Sequence, residues 1–210
     1  MMGTRIIIAI LCFVLAAVHS PEQVCAGITL TQSEISTLAQ GGLVSRPLPD
    51  SGKNSTIAGV SFTVINAPAD AVMRALEDVS AWKHIFPNTY EAKTVASNGN
   101  TRTVKMRFGN ALFKAGLYLT AVFDRQKLEL VYALNKKKPH DIEESRGSVK
   151  LIPQSEGRTL VAFTSLVKVP FGALINLMGQ KVVGWIEYRV LVTPKRLKDW
   201  VEGQSGDKYR

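Results

Sequence analysis

Apolar residues recur at two different spacings along this chain, and the change between them separates a strand-rich part from a helical end. In 57–66 and again from Thr89 to Val169 apolar and polar residues mostly alternate, which is typical of strands. From Pro170 onward apolar residues recur at three- and four-residue steps, which predicts a helix with one wide apolar face. Such a face needs a large apolar partner, and the preceding strands can supply it as a sheet wrapped around the helix.

About seven segments of the strand-rich part have the pattern of strands. Turn-forming residues separate them, and 97–100 contains the Asn-Gly pair that favours a tight hairpin. A series of hairpins predicts an antiparallel sheet. The predicted strands are 57–66, 90–96, 101–108, 113–123, 128–132, 144–152 and 159–169.

Two short helices are predicted between the first two of these strands. Pro68 suits the start of a helix, and Val72 and Leu76 give that helix an apolar side. Ser80 is expected to cap the second helix, which Pro87 ends because the residue before a proline disfavours the helical conformation. The fold class that follows is α+β, with helices on one side of an antiparallel sheet.

The C-terminal segment predicts a long helix, with the clearest helical spacing over 171–185. The residue types at 186–192 also fit a strand. Thr193-Pro194 can cap and restart a helix, so 194–202 is expected to form a separate or kinked final helix. Residues 203–210 are expected to be a tail.

The N-terminus has the order of a secretory signal peptide. Arg5 precedes the uncharged apolar run 6–18, which is shorter than the roughly 18 residues a membrane span needs, and small residues follow at 24–26. We therefore expect residues 1–26 to be removed and the protein to be periplasmic or secreted. The alternatives are cleavage after Ser20 and an uncleaved N-terminal anchor.

The cysteine content and the net charge limit which kinds of site and which partners the protein can have. Cleavage after Ala26 would remove both cysteines, Cys12 and Cys25, and with them any disulfide, thiol nucleophile or thiolate metal site. The formal net charge of +9 suits nucleic acid, an anionic membrane surface or only solubility. Export argues against nucleic acid as a partner.

Residues 27–56 are expected to be an N-terminal extension that precedes the folded domain. Thr31 and Glu34 have the spacing of a capping box, Gly41-Gly42 can end that helix, and 43–46 can form a strand. The composition of 48–56 predicts a loop.

Few residues could carry out chemistry. His84 and His140 lie in different segments and are expected to be exposed, and no metal-ligand spacing or G-x-S-x-G motif is present. The acidic run Asp141, Glu143 and Glu144 is expected at a surface edge. These residues predict no catalytic group, no metal and no cofactor.

Two stretches resemble the START-like superfamily, also called SRPBCC or helix-grip, and within it the coenzyme Q-binding and polyketide cyclase groups. They are VINAPADAVMRALEDVSAWKHIFPNT at 64–89 and GSVKLIPQSEGRTLVAFTSLVKVPFG at 147–172. The resemblance covers roughly 57–202. It implies a helix-grip fold, in which a curved antiparallel sheet wraps around a long C-terminal helix.

The resemblance also implies a hydrophobic cavity between the sheet and the C-terminal helix. Aromatic and flexible apolar side chains with few polar groups are typical of such ligand sites. The candidates for lining the cavity are Trp82, Phe86, Met106, Phe108, Phe113, Leu117, Tyr118, Tyr132, Phe163, Leu174, Met178 and Trp185.

The predicted function is binding or transfer of a hydrophobic small molecule or lipid. One alternative is a cyclase- or hydrolase-type enzyme that acts in the same cavity, for which Tyr118, Glu187 or Arg107 would have to move protons. Another alternative is a non-enzymatic interaction module with a filled core.

A carrier of an insoluble ligand is also expected to meet a membrane. The loop 136–138 is basic, and 194–202 combines basic residues with Leu197, Trp200 and Val201. Either this final helix lies on an anionic membrane surface, or its apolar residues dock on the domain while its lysines face water.

Overall fold

The computed structural model describes residues 29–49, 56–109, 114–169 and 191–209, except for the side chains of 204–206. It contains one open antiparallel sheet of eight strands in the order β1-β2-β8-β7-β6-β5-β4-β3. The strands are β1 (Val44–Pro47), β2 (Thr56–Ile65), β3 (Thr89–Asn98), β4 (Thr101–Gly109), β5 (Lys114–Asp124), β6 (Glu129–Leu134), β7 (Glu144–Pro153) and β8 (Thr159–Lys168). All seven predicted strands are present, and the short β1 within the predicted extension is the eighth.

Hairpins connect the strands from β3 to β8, as the sequence predicted. The first hairpin turns at Gly99, whose φ of +58° is a conformation that glycine adopts without steric cost. The pairing of β2 with β8 is different, because these strands are distant in sequence. It runs along both strands from Thr56 opposite Lys168 to Ile65 opposite Thr159.

Four α-helices lie within the described residues: α1 (Gln32–Ala39), α2 (Ala69–Glu77), α3 (Trp82–Ile85) and α4 (Thr193–Glu202). A single 3-10 turn, Val79–Ala81, joins α2 to α3. The two predicted short helices are therefore confirmed, and so is the separate final helix. The predicted signal peptide 1–26 and long helix 171–185 lie outside the described residues, as does 186–190 of the segment that also fits a strand.

Two predicted caps are wrong. Ser80 was expected to cap the second helix, but it lies inside the 3-10 turn, and Asp78 is the N-cap of that turn. The Asp78 carboxylate accepts the backbone N–H of Ser80 at 3.2 Å. The side chain of an aspartate can accept the backbone N–H two residues further along the chain. Ser80 is itself inside the turn, so it is not in the N-cap position. Val192, and not Thr193, occupies the N-cap of α4, and it makes no side-chain capping bond.

The helix α1 has the predicted capping box. The backbone N–H of Thr31 donates to the Glu34 carboxylate at 2.7 Å, and the N–H of Glu34 donates to the Thr31 hydroxyl at 3.3 Å. Gly41 follows the helix with a φ of +77°, so the predicted glycine stop is confirmed as well.

The apolar side of α4 docks on the domain. Leu197 and Val201 are 1% and 3% exposed, and the Lys198 ammonium donates to the Val64 carbonyl at 2.7 Å. Because Leu197 and Val201 are buried, they are not available to a bilayer, and the docking alternative describes this helix. No helix of the described segments is long and apolar enough to cross a membrane.

The 3-10 helix Gln204–Tyr209 packs against α4 and α2. The hydroxyl of Tyr209, which is 4% exposed, donates to the Asp78 carboxylate at 2.8 Å. Partial burial raises the pKa of Asp78, but hydrogen bonds from Lys208, Ser80 and Tyr209 outweigh it, so the net pKa is lowered. The segment that we expected to be a tail thus contributes a side chain to the core.

Candidate functional site

One side of the sheet, which we call the inner face, packs against α2, α3 and α4. Side chains from six strands and these helices form one buried apolar cluster there. Its members on the strands are Ile65, Val104, Met106, Leu117, Leu119, Ala121, Phe123, Leu130, Tyr132, Val149, Leu151, Val161 and Phe163. Cross-strand pairs such as Met106 with Leu117 place these residues on the same side.

The inner face brings together most of the predicted cavity residues. Trp82, Met106, Leu117, Tyr132 and Phe163 belong to the buried cluster, and Phe86 and Phe108 are partly buried against it. The remaining apolar candidates, which are Phe113, Leu174, Met178 and Trp185, lie outside the described residues.

Tyr118 is not part of this face. Burial alternates strictly along β5, with Leu117 and Leu119 buried and Tyr118 between them half-exposed. Successive side chains of a strand point to opposite sides, so Leu117 and Tyr118 cannot both line one cavity. Arg107 also lies on the opposite side of the sheet, where it pairs with the Glu91 carboxylate at 3.5 Å.

Aromatic rings connect α3 to the centre of the inner face. The Phe86 ring lies 5.0 Å from the Trp82 ring and 6.0 Å, edge to face, from the Tyr132 ring. The indole N–H of Trp82 donates to the Leu76 carbonyl at 2.7 Å, which fixes the ring below α2.

Partly buried apolar residues mark one end of the inner face. This end is where β4, β6 and β8 terminate and β3 begins. We call these residues the apolar rim, and they are Phe86, Phe108, Leu134, Val167 and Val169. The apolar surface of the inner face therefore continues to the protein surface at this end.

Two hydroxyl groups meet in the middle of the inner face. The Tyr132 hydroxyl donates to the Ser165 hydroxyl over a long 3.4 Å, and the two residues are 4% and 2% exposed. Burial raises the pKa of Tyr132 to about 12, although the Ser165 hydrogen bond lowers it. The phenol is therefore neutral and able to donate throughout the physiological pH range.

Glycine at position 147 makes this arrangement possible. Gly147 pairs with Tyr132 on one side and with Ser165 on the other. A β-carbon here would collide with the Tyr132 phenol and with the Thr164 carbonyl oxygen. The tyrosine ring therefore crosses β7 above Gly147 to reach Ser165 on β8.

A third inner-face hydroxyl belongs to Ser61 on β2. Ser61 is opposite Phe163, one inner-face position from Ser165, and it is 0% exposed. Its hydroxyl has no hydrogen-bond partner among the residues that the structure describes. An unpaired buried hydroxyl costs about 1–3 kcal/mol, so this one is a feature that requires an explanation.

The two described histidines and the acidic run lie away from the inner face. His84 is exposed and stacks on the Trp200 ring at 4.3 Å, and exposed His140 contacts the Lys138 carbonyl. The acidic run lies at a surface edge, where Glu143 pairs with Lys168 at 2.8 Å. In the described part of the chain no group of three or more histidine, cysteine, aspartate or glutamate side chains could hold a metal ion.

Solved structures resemble this fold, although no family model and no curated protein matches the chain. The Zhui aromatase/cyclase of Streptomyces sp. R1128 has a TM-score of 0.59 at 16% identity, covering 80% of this chain and 97% of its own. A STAR-related lipid transfer protein of Xanthomonas axonopodis has a TM-score of 0.55 at 13% identity, covering 77% and 93%. A START superfamily protein of Mycobacterium smegmatis has a TM-score of 0.52 at 14% identity, covering 76% and 97%.

The chain has a START-like fold. This confirms the resemblance predicted from 64–89 and 147–172, and the helix-grip fold class with it. At these identities the likeness concerns the START-like fold alone, so the function has to be argued from the inner face.

The sequence analysis missed the hydroxyls of this START-like fold for an identifiable reason. Ser61 and Thr63 are the polar positions of an alternating strand, which ordinarily face solvent. In the structure both sides of β2 are covered, and every residue from Ile57 to Thr63 is buried. The many apolar residues of β2 were the available signal, because strands buried on both faces carry them on both sides.

Proposed function

We propose that this chain binds a hydrophobic small molecule or a lipid at the inner face of its sheet. The apolar rim carries the proposal, because it connects the buried aromatic cluster with the protein surface at the end where β4, β6 and β8 terminate. Burying apolar ligand surface contributes about 25 cal/mol per Å². The START-like fold supports the same function, since solved neighbours include a STAR-related lipid transfer protein.

Binding is better supported than catalysis in the same place. An enzyme needs a group that can exchange protons near the substrate, and the candidates Tyr118 and Arg107 lie on the other side of the sheet. Glu187 lies outside the described residues. Tyr132 is on the inner face, but its pKa of about 12 makes it a hydrogen-bond donor and not a base at neutral pH.

Nile red, an uncharged apolar dye, tests this function directly. We expect its fluorescence to rise and shift to the blue on titration, with saturation at one dye per protein, because the dye leaves water for an apolar site. Fluorescence titration with purified protein, together with native mass spectrometry, measures affinity and stoichiometry. A response that does not saturate, or that a detergent-free denatured sample reproduces, would contradict a defined site.

We also propose that the protein contacts anionic membranes through the end that carries the apolar rim. The exposed loop Lys136–Lys138 follows the rim residue Leu134, so cations and apolar side chains lie at the same end. Lys195 of α4 instead pairs with Asp199 at 3.0 Å, and Lys198 pairs with Glu202 at 2.7 Å. The loop is therefore the better candidate for binding lipid headgroups.

Liposome flotation tests this contact. Each cation near an anionic surface contributes about 1 kcal/mol, so replacing Lys136, Lys137 and Lys138 by Gln is expected to weaken binding about 100-fold. Salt is expected to weaken binding of the unmodified protein, since exposed charges are screened. The matched control Lys195→Gln should bind almost normally. Equal binding by both variants, or binding that is independent of salt, would contradict the proposal.

Export was predicted from the sequence of residues 1–26. These residues lie outside the described part of the structure, so export stays a prediction. A periplasmic or secreted location suits a carrier of insoluble molecules that have to cross an aqueous space.

A further inference from the structure

The hydroxyl groups of the inner face indicate which chemical class of ligand binds there, given the proposed function. Ser61 and Ser165 lie on the adjacent strands β2 and β8, where Ser61 is opposite Phe163 and Ser165 is opposite Gly59. The Tyr132 hydroxyl reaches Ser165 from β6. Three hydroxyl groups from three strands thus lie within a patch of otherwise apolar side chains, which we call the hydroxyl patch.

The hydroxyl patch has unused hydrogen-bonding capacity. The Ser61 hydroxyl is fully buried and has no partner among the described residues. The single bond between Tyr132 and Ser165 is at the long limit of a hydrogen bond, at 3.4 Å. A hydroxyl can donate once and accept twice, so the patch can both donate to and accept from another polar group.

No charged side chain of the surrounding strands faces the patch. On the described inner face, every position of β2, β5, β6, β7 and β8 carries an uncharged residue. Arg102 is on the inner face of β4, but its guanidinium donates to the Glu77 carbonyl and lies over the Phe123 ring. Lys198 of α4 is occupied by the Val64 carbonyl and the Glu202 carboxylate. Among the residues of these described elements, a carboxylate or phosphate at the patch would therefore find no free cation to pair with.

The C-terminal segment covers this part of the sheet. Leu191 packs over Gly59, so that a β-carbon on Gly59 would lie 2.7 Å from the leucine methyl groups. Gly59 is opposite Ser165. The hydroxyl patch therefore lies next to the place where the sheet meets the C-terminal segment, and its Ser165 is one inner-face position from the rim residue Val167.

We propose that the ligand is a neutral amphiphile whose hydroxyl or carbonyl group binds to Ser61, Ser165 and Tyr132. Long-chain alcohols, ketones and ring systems with such a group belong to this class, whereas fatty acids and phospholipids do not. Burying a charge without a partner is much more costly than burying a hydrogen-bonded hydroxyl, and this difference supplies the selectivity.

The test compares matched twelve-carbon ligands by displacement of bound Nile red. We expect 1-dodecanol and 2-dodecanone to bind at least about tenfold more tightly than dodecanoate at pH 8, because only the acid is charged. The variants Ser61→Ala and Tyr132→Phe are expected to weaken dodecanol binding about three- to tenfold, which is the contribution of one hydrogen bond. Binding of dodecane, which has no polar group, should be unchanged.

A second measurement separates a ligand contact from a structural role. Ser61→Ala removes a hydroxyl that has no described partner, so thermal stability without ligand should be unchanged or higher while dodecanol binding weakens. The control Ser148→Ala removes a hydroxyl from the opposite side of the sheet, where Ser148 pairs with Thr164. Ser148→Ala should change neither the affinity for dodecanol nor the affinity for dodecane.

Three results would overturn this inference. They are dodecanoate binding as tightly as dodecanol, an unchanged ratio of dodecanol to dodecane affinity in Ser61→Ala and Tyr132→Phe, or a loss of stability in Ser61→Ala. In each of them Nile red still binds, so the proposed function stands while the ligand class is wrong. Absence of saturable Nile red binding in the unmodified protein overturns the proposed function itself.

Discussion

Leu117→Arg is expected to abolish Nile red binding, whereas Tyr118→Arg is expected to leave it unchanged. The two residues are neighbours on β5, but Leu117 is 5% exposed within the apolar cluster and Tyr118 lies on the other side of the sheet. An arginine at 117 would bring a charge into an apolar environment, and the described residues of the inner face include no carboxylate to pair with it. The cost is several kcal/mol, about 3–5 for a buried charge left without a partner.

The measurement combines the Nile red titration with circular dichroism for each variant. If Leu117→Arg is folded and does not bind the dye, the inner face is the binding surface. If it unfolds, the volume-conserving Leu117→Met, which usually costs less than about 1.5 kcal/mol, provides a folded protein that should still bind. Normal dye binding by a folded Leu117→Arg, or loss of binding in a folded Tyr118→Arg, would place the ligand elsewhere.

Trp82→Ala is expected to destabilise the domain by about 3–5 kcal/mol, which is the usual cost of truncating a buried aromatic side chain. Trp82 is 0% exposed, packs on Phe86 and Phe123, and donates its indole N–H to the Leu76 carbonyl. Truncation leaves a cavity and an unpaired carbonyl at once. At about 2–4 °C per kcal/mol, the melting temperature should fall by about 6–20 °C.

Trp200→Ala is the matched control for this truncation. Trp200 is only partly buried, and it stacks on the exposed His84 ring at 4.3 Å. Its truncation should cost clearly less than that of Trp82, as both variants lose the same side chain. Trp82→Phe should fall in between, since it keeps an aromatic ring and loses the N–H donor. Equal melting temperatures for Trp82→Ala and Trp200→Ala would show that Trp82 is not central to the core.

The strands and their hairpins could be predicted because one side of most strands is buried and the other is not. Along β5 this gives the alternation from Ala115 to Phe123 that the structure reproduces residue by residue. The first turn was predicted correctly from Gly99, because few other residues adopt its positive φ. Local patterns of this kind depend on neighbouring residues, which are visible in a sequence.

The sequence predictions failed where residues distant in sequence determine the environment of a side chain. Tyr118 is aromatic and follows Leu117, but which side of β5 it occupies depends on the register of that strand. Ser61 is buried because β2 is covered on both sides, and nothing in 57–66 shows what covers it. Asp78 became a capping residue that also binds Tyr209, a residue distant in sequence. Such contacts follow from the tertiary fold and not from spacing.

The pairing of β2 with β8 has a consequence for the order in which the chain folds. The Thr159 hydroxyl at the start of β8 donates to the Ala67 carbonyl just after β2, across a separation of 92 residues. During synthesis β2 can form its hairpin with β1 at once, because Val44 pairs with Phe62 nearby. Its other edge has no native partner until β8 has been made. Throughout that interval an apolar strand edge is free to pair with other chains, so the short β1 protects β2 on one side only.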